Sequence, residues 1–132
     1  MNSAEDFTTG QVILIDKPIN WSSFQVVNKL RWGIRKVFGM EKLKVGHAGT
    51  LDPLATGLLI ICTGKMTKQI ENFQAQTKEY TGTITLGSTT PSYDLETEID
   101  KQFPTQHISG ALIYEATKHF ICLLYTSDAA DD

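Results

Sequence analysis

Gly46-His-Ala-Gly-Thr-Leu-Asp-Pro-Leu-Ala-Thr-Gly57 is the stretch on which the reading of this chain turns. It sets three glycines, one histidine and one aspartate between two apolar segments. Glycine lets a backbone bend sharply and approach a ligand closely. Pro53 drives the residue before it toward an extended conformation, so Asp52 is expected on a stiff turn. A carboxylate held in that way suits catalysis, because fixed position lowers a barrier. Asp followed by Pro is equally an ordinary helix N-cap with its first helical residue. His47 alone is more often a structural hydrogen-bonder than a functional group. On this stretch by itself both readings stand.

Outward from it, the flanks read as regular elements. Upstream, Gln11-Val-Ile-Leu-Ile-Asp16 is a short β-branched run expected to form a buried strand that Lys17-Pro18 ends. Ser22-Ser-Phe-Gln25 fits a capping box, with Ser22 at the N-cap and Gln25 three residues on. The helix it opens carries Val27, Leu30, Ile34 and Val37 as an apolar stripe, and Gly39 is a natural stop. The segment from Glu41 to Gly57 is expected to be irregular. Downstream, Gly57 to Cys62 reads as a second buried strand and Met66 to Ala75 as a helix with Ile70 and Phe73 on one side. Tyr80 to Leu86 is threonine-rich and strand-prone, Gly87 to Ser92 is a turn, and Ser109 to Ile121 is expected as a helix with Leu112, Ala116 and Phe120 on one stripe.

Composition excludes more than it identifies. With 132 residues, 41% hydrophobic and 20% charged, the chain is one globular domain or part of one. The longest apolar run, Leu58 to Cys62, is far short of the roughly 20 residues of a membrane helix. Met1 to Gly10 holds two acids and no base, unlike a targeting peptide, so a cytoplasmic location is expected. Cys62 and Cys122 make no disulfide framework, and with His47, His107 and His119 they form no zinc-ligand spacing. The net charge of −3 conceals an uneven distribution. From Lys29 to Lys78 nine bases face three acids, and a locally basic segment binds phosphates even in an acidic chain. A solvated helix face accounts for the same charges.

Several motifs agree in order and spacing with one family. The Gly-His-x-Gly-x-Leu-Asp-Pro-x-Ala-x-Gly pattern of residues 46–57 resembles the signature of the tRNA pseudouridine-55 synthases, which modify the T arm, and of their guide-RNA-dependent relatives. Ile15-Asp-Lys-Pro18 followed by Ser22-Ser23 resembles the family's opening motif. Gly64-Lys-Met-Thr-Lys68 resembles its Gly-x-x-Thr-Lys segment, and Lys78-Glu-Tyr80 followed by Leu86-Gly87 its Lys-x-Tyr strand. The likeness runs from about Gly10 to Phe120.

The resemblance implies an α+β fold, a mixed β-sheet with flanking helices, of which residues 1–121 are the N-terminal part of the catalytic domain. It implies Asp52 as the catalytic carboxylate. It implies substrate contacts by Tyr80, stacked on a flipped uracil, by His47 in the space the nucleotide leaves, by Lys17 and Lys68 in structural or phosphate-facing positions, and by Asp94 near the site. The Asp94 region, Thr90-Pro-Ser-Tyr-Asp-Leu-Glu96, departs from the family's glycine-bearing pattern. The family's arginine partner of the aspartate, its apolar floor under the uracil and its RNA-binding module have no counterpart before Phe120. The implied partner is the tRNA T-arm stem-loop; no metal, cofactor or membrane is called for, and a monomer is expected. Residues 122–132, Cys-Leu-Leu-Tyr-Thr-Ser-Asp-Ala-Ala-Asp-Asp, resemble the translated read-through of a sequencing adaptor and are expected to be a non-native tail. The chain is accordingly expected to be an inactive fragment.

Two other classes are weaker. A phosphate-binding P-loop is ruled out, since Gly57 and Gly64-Lys65 are too far apart and Met66 stands where Ser or Thr is required. A non-catalytic RNA-binding module suits the bases interleaved with Trp21, Trp32 and Tyr80 but has no need of the Asp-Pro turn. A guide-RNA-dependent relative is disfavoured by the short N-terminal segment.

Overall fold

The computed structural model describes residues 3–121, in two compact units, Met1–Tyr80 and Thr81–Asp132. The stretch 122–132, expected to be a non-native tail, lies outside the described residues.

The first unit is a three-stranded antiparallel sheet with a long helix on one face. Helix α1 (Ala4–Thr9) leads into β1 (Val12–Lys17), followed by α2 (Ser23–Phe38), β2 (Val45–Ala48) and β3 (Gly57–Thr63). A 3-10 turn (Gly64–Gln69) then continues into α3 (Ile70–Gln74). The strand order is β1-β3-β2, which places the most apolar strand in the centre. Register runs from Val12 opposite Cys62 to Lys17 opposite Gly57, and from Val45 opposite Thr63 to Ala48 opposite Ile60.

Because side chains alternate across a sheet, this register sorts them cleanly. Ile13, Ile15, Leu59, Ile61 and Val45 face a core that also takes Phe7, Val26, Val27 and Leu43. Val12, Leu14 and Leu58 share the other face and remain 38%, 64% and 62% exposed. The first strand, expected to be buried, is therefore buried on one face only.

Helix α2 begins as its sequence dictates. The Ser22 hydroxyl accepts from the Gln25 amide at 3.1 Å and the Gln25 side chain accepts from the Ser22 amide at 2.8 Å. Gly39 ends the helix in the left-handed region, φ 63°. The stripe differs at one place. Val37 is 77% exposed, and Phe38 takes the last core position, its ring centroid 5.1 Å from that of Phe7. A helix of 3.6 residues per turn brings the residue four after Ile34 back to the core, and that residue is Phe38.

Strand β2 was not expected, since Gly46 and Gly49 made the segment look like a loop. Gly46 is there for packing: a Cβ on it would stand 2.8 Å from the Ile70 side chain, which presses on the sheet.

The second unit holds a two-stranded antiparallel ladder, β4 (Ser88–Thr89) with β5 (Lys101–Gln102), and helix α4 (Gly110–Thr117) capped by Ser109. The α+β class is as expected, while every ladder among the described residues is antiparallel and the mixed pairing expected is not seen there. The strand expected from Tyr80 to Leu86 is likewise not formed. A β-branched run becomes a strand only when a neighbour takes up its backbone hydrogen bonds, and no described strand pairs with it. Of the expected stripe, Leu112 is 54% and Phe120 69% exposed and Ala116 is exposed too, so it covers no core within the described unit.

Candidate active site

The Asp-Pro turn leaves the Gly57 end of β3 and is fastened from both sides. Asp52 to Ala55 forms a β-turn, the Ala55 amide donating to the Asp52 carbonyl at 3.0 Å with Pro53 in the second position. Before Asp52, the Ser23 hydroxyl accepts from the Leu51 amide at 2.9 Å and donates to the Leu51 carbonyl at 3.2 Å. Ser23 is the first residue of α2 and is buried. After Asp52, the Pro53 carbonyl accepts from the Asn20 amide at 2.7 Å and from the Lys17 ammonium at 3.3 Å. Asn20 holds φ 64°, a left-handed conformation that asparagine tolerates better than most residues.

Lys17 is the unexpected member of this arrangement. It lies on the core face of β1, is wholly buried, and donates also to the carbonyls of Trp21 at 2.6 Å and Pro18 at 2.9 Å. An ammonium has three protons, and here three carbonyls receive them. Lys17 was expected as a substrate contact in a structural or phosphate-facing position; its burial and full complement of backbone acceptors favour the structural alternative and leave it no donor for a phosphate. It is a positioning residue that joins β1, the loop before α2 and the Asp52 turn.

Asp52 itself is exposed, and among the described residues no donor reaches its carboxylate. It caps no helix, since the residues after it form a turn and not a helix. The capping alternative is thus excluded by local geometry, and what remains is a solvent-facing carboxylate on an immobilised backbone.

His47 sits on β2, half-buried, its Nδ1 2.7 Å from the Gly49 carbonyl. That bond places the proton on Nδ1 and leaves Nε2 free to accept. Gly49, at φ 100°, has the Lys78 side chain about one contact distance away, 4.0 Å from where a Cβ would stand. Lys78 donates to the carbonyls of Gln74 and Gln76.

Two further expected residues of the first unit, Tyr80 and Lys68, are not drawn into this cluster. Tyr80 is 67% exposed at the end of the first unit. Lys68 is exposed on the 3-10 turn at the opposite end of β3 from Asp52. Asp94 lies in the second unit, where its carboxylate accepts from the Ser92 hydroxyl at 2.6 Å and the Glu96 amide at 2.9 Å. Those bonds, the hydroxyl first, hold the Asp94 carboxyl below the usual carboxylate range. Asp94 therefore organises its own loop.

Ser23 and Asn20 were missed by sequence reasoning. The Ser22-Ser23 pair was visible, but capping explained only its first member. Nothing in a sequence marks an asparagine for a left-handed backbone two residues after a proline.

The first unit thus presents an exposed carboxylate on a fastened turn, and a half-buried histidine lies on the strand that precedes that turn. Comparison with known proteins identifies the family. Residues 35–127 match the family described as TruB family pseudouridylate synthase, N-terminal domain, and the chain belongs to that family. A Flavobacterium johnsoniae protein named tRNA pseudouridine synthase B is 63% identical over 118 residues, covering 89% of this chain and 52% of its own length. The protein of the same name from Phocaeicola vulgatus is 60% identical over 116 residues, 88% of this chain and 49% of its own. One from Chloroherpeton thalassium is 51% identical over 112 residues, 85% of this chain and 46% of its own. The chain spans about half the length of the curated relatives it matches.

Proposed function

We propose that the protein to which this chain belongs is a tRNA pseudouridine synthase, an isomerase acting on a T-arm loop uridine, with Asp52 as its catalytic carboxylate. The observation that carries this reading is the Asp52 carboxylate without a partner on a turn bound through Leu51 and Pro53 to three separate residues. Other exposed carboxylates of the chain are unpartnered too; Asp52 differs in standing on a backbone fastened on both sides, where it is available to a ligand.

The reaction breaks the N1–C1′ bond of uridine, turns the uracil and joins C5 to C1′. The C5 proton leaves to solvent and N1 gains one, so the isomerisation needs no net oxidant. Asp52 acts as nucleophile at C1′ or as the anion that stabilises the electron-poor ribose carbon while the base is detached. The uracil must leave its stack to be reached. In this reading Tyr80 stacks on it, the free Nε2 of His47 contacts the loop, and exposed Lys68 faces phosphate. Asp94 stays a weaker member, since its carboxylate already holds its own loop.

The protein acts as a monomer in the cytoplasm, with residues 1–121 as the first part of the catalytic domain. The reading of residues 122–132 as adaptor read-through belongs to the proposal too, although the family match runs to residue 127. An independent sequence of the gene past Ile121 tests it. The test of function is tritium release from C5-labelled uridine in tRNA, by this chain completed with the C-terminal half of the Flavobacterium johnsoniae relative. Asp52→Asn is expected to abolish release while tRNA affinity changes by less than about tenfold. Release at the unsubstituted rate would remove Asp52 from the chemistry.

A further inference from the structure

The far end of β3 carries a feature of which the proposed function uses Lys68 alone. Four exposed lysines, Lys42, Lys44, Lys65 and Lys68, line one depression of about 500 Å³, and no carboxylate lines it. None of the four is paired with an acid among the described residues, where the one ion pair is Lys118 with Glu115. The nearest acid on the lining of the adjoining depression is Glu71.

The floor beneath these lysines is rigid. The Gly64 amide donates to the Lys44 carbonyl at 2.8 Å, and the Thr67 hydroxyl donates to the Gly64 carbonyl at 2.9 Å. Gly64 holds φ 51°, and a Cβ on it would stand 2.1 Å from the Thr8 carbonyl oxygen. Buried Thr63 donates to the Phe7 carbonyl at 2.9 Å and accepts from the Gln11 amide at 3.0 Å. The charges thus come from two chain segments locked side by side.

Like charges are gathered in this way only at some electrostatic cost, which a polyanion offsets. The Asp52 turn leaves β3 at Gly57, whereas the depression adjoins Gly64. Seven residues of strand separate them, or about 20 Å at roughly 3.3 Å each. A single flipped nucleotide does not span that distance; a base-paired stem does.

We propose that Lys42, Lys44, Lys65 and Lys68 form a phosphate-binding surface for the backbone of an RNA stem whose loop reaches the Asp52 turn. This rests on the isomerase reading for the loop and adds the stem as a second, sequence-independent contact. Phosphate contacts set register on a substrate and carry no sequence information.

The test measures binding of a T-arm hairpin to the completed protein as a function of salt. Replacing all four lysines by Gln is expected to weaken binding at low salt by about tenfold or more. The slope of log affinity against log salt should shrink by about three, the counterions of the lost phosphate contacts. The pair Lys42→Gln with Lys65→Gln should show about half that slope change. Lys29→Gln with Lys36→Gln, an equal charge loss on α2, should leave the slope nearly intact. A single-stranded oligonucleotide of the loop alone should bind the fourfold variant as it binds the original. Equal slope losses from the two pairs, or none from the fourfold variant, would overturn the proposal. A hairpin with cytidine at the target position keeps the stem and removes the reaction, so its slope reads this surface independently. A slope change without tritium release from the completed protein would sink the isomerase reading and leave the stem surface standing.

Discussion

The ammonium of Lys17 and the carbonyl of Pro53 lie 3.3 Å apart, which ties a wholly buried cation to the residue directly after Asp52. Lys17→Met keeps the length of the side chain and leaves the carbonyls of Pro18, Trp21 and Pro53 without this donor. The Pro53 carbonyl keeps the Asn20 amide, so those of Pro18 and Trp21 are the ones left unsatisfied, at about 1–3 kcal/mol each. The variant is expected to lose about 3 kcal/mol in denaturant unfolding, and tritium release in the completed protein should fall with it. Unchanged stability would show that those carbonyls find water instead.

Two glycines should respond in opposite directions to alanine. At Gly64 the new methyl meets the backbone oxygens of Thr8 and Phe7 at 2.1 and 2.4 Å, and φ is 51°. Neither oxygen belongs to a flexible side chain, so Gly64→Ala is expected to cost about 3 kcal/mol or more. At Gly33, inside α2, nothing stands within 4 Å. Gly33→Ala should stabilise by about 0.5–1 kcal/mol through helix propensity. Thermal melts of the two variants read both signs.

Tyr80 separates stacking from hydroxyl chemistry. Tyr80→Phe keeps the aromatic face and Tyr80→Ala removes it. Base–aromatic stacking contributes roughly 1–3 kcal/mol, so Phe is expected to retain more tritium release than Ala. Equal losses would assign the role to the hydroxyl.

The Asp94 loop should be sensitive to acid. Its carboxyl is held below the usual range by hydrogen bonds from Ser92 and Glu96 to the charged form. A depressed folded value means that the contribution is present above the unfolded pKa and lost as pH falls through the folded one. The Asp94 carboxyl resonance is expected to titrate below an ordinary aspartate, with the Ser92 and Glu96 amide signals moving at the same midpoint. Asp94→Asn should abolish that transition. A midpoint in the ordinary range would contradict the loop geometry.

The chain by itself should expose apolar surface. Val12, Leu14 and Leu58 share a sheet face and are 38%, 64% and 62% exposed, and the apolar residues of α4 are equally uncovered. Faces of this kind bind dye and promote association. The 132-residue chain is expected to bind ANS, melt broadly and show no turnover on a T-arm minihelix. The protein completed with the relative's C-terminal half should melt sharply. A sharp melt with turnover from the chain alone would overturn this expectation.

What the sequence disclosed follows from where the information was local. The capping box at Ser22 and Gln25, the stop at Gly39 and the apolar strand read from Gly57 to Cys62 are written in neighbouring residues, and all are found, the strand running one residue further. The Asp-Pro turn was legible for the same reason. Strand β2 was hidden because Gly46 answers to a distant side chain, that of Ile70. The run from Tyr80 to Leu86 was read as a strand because propensity is local while a pairing partner is not. Ser23 and Lys17 are invisible as positioning residues for the same cause: their partners, Leu51 and Pro53, lie 28 and 36 residues away.

The pair of hydrogen bonds between Ser23 and Leu51 has a consequence for how this protein is maintained in a cell. Ser23 is buried at the start of the longest helix, and Lys17 is buried in the central sheet. The groups that aim the carboxylate are therefore also groups that keep the domain closed. A molecule whose turn has slipped has lost contacts from its interior as well, and proteases and chaperones act on such openings. Surveillance of folding thus doubles as surveillance of the geometry of the Asp52 turn.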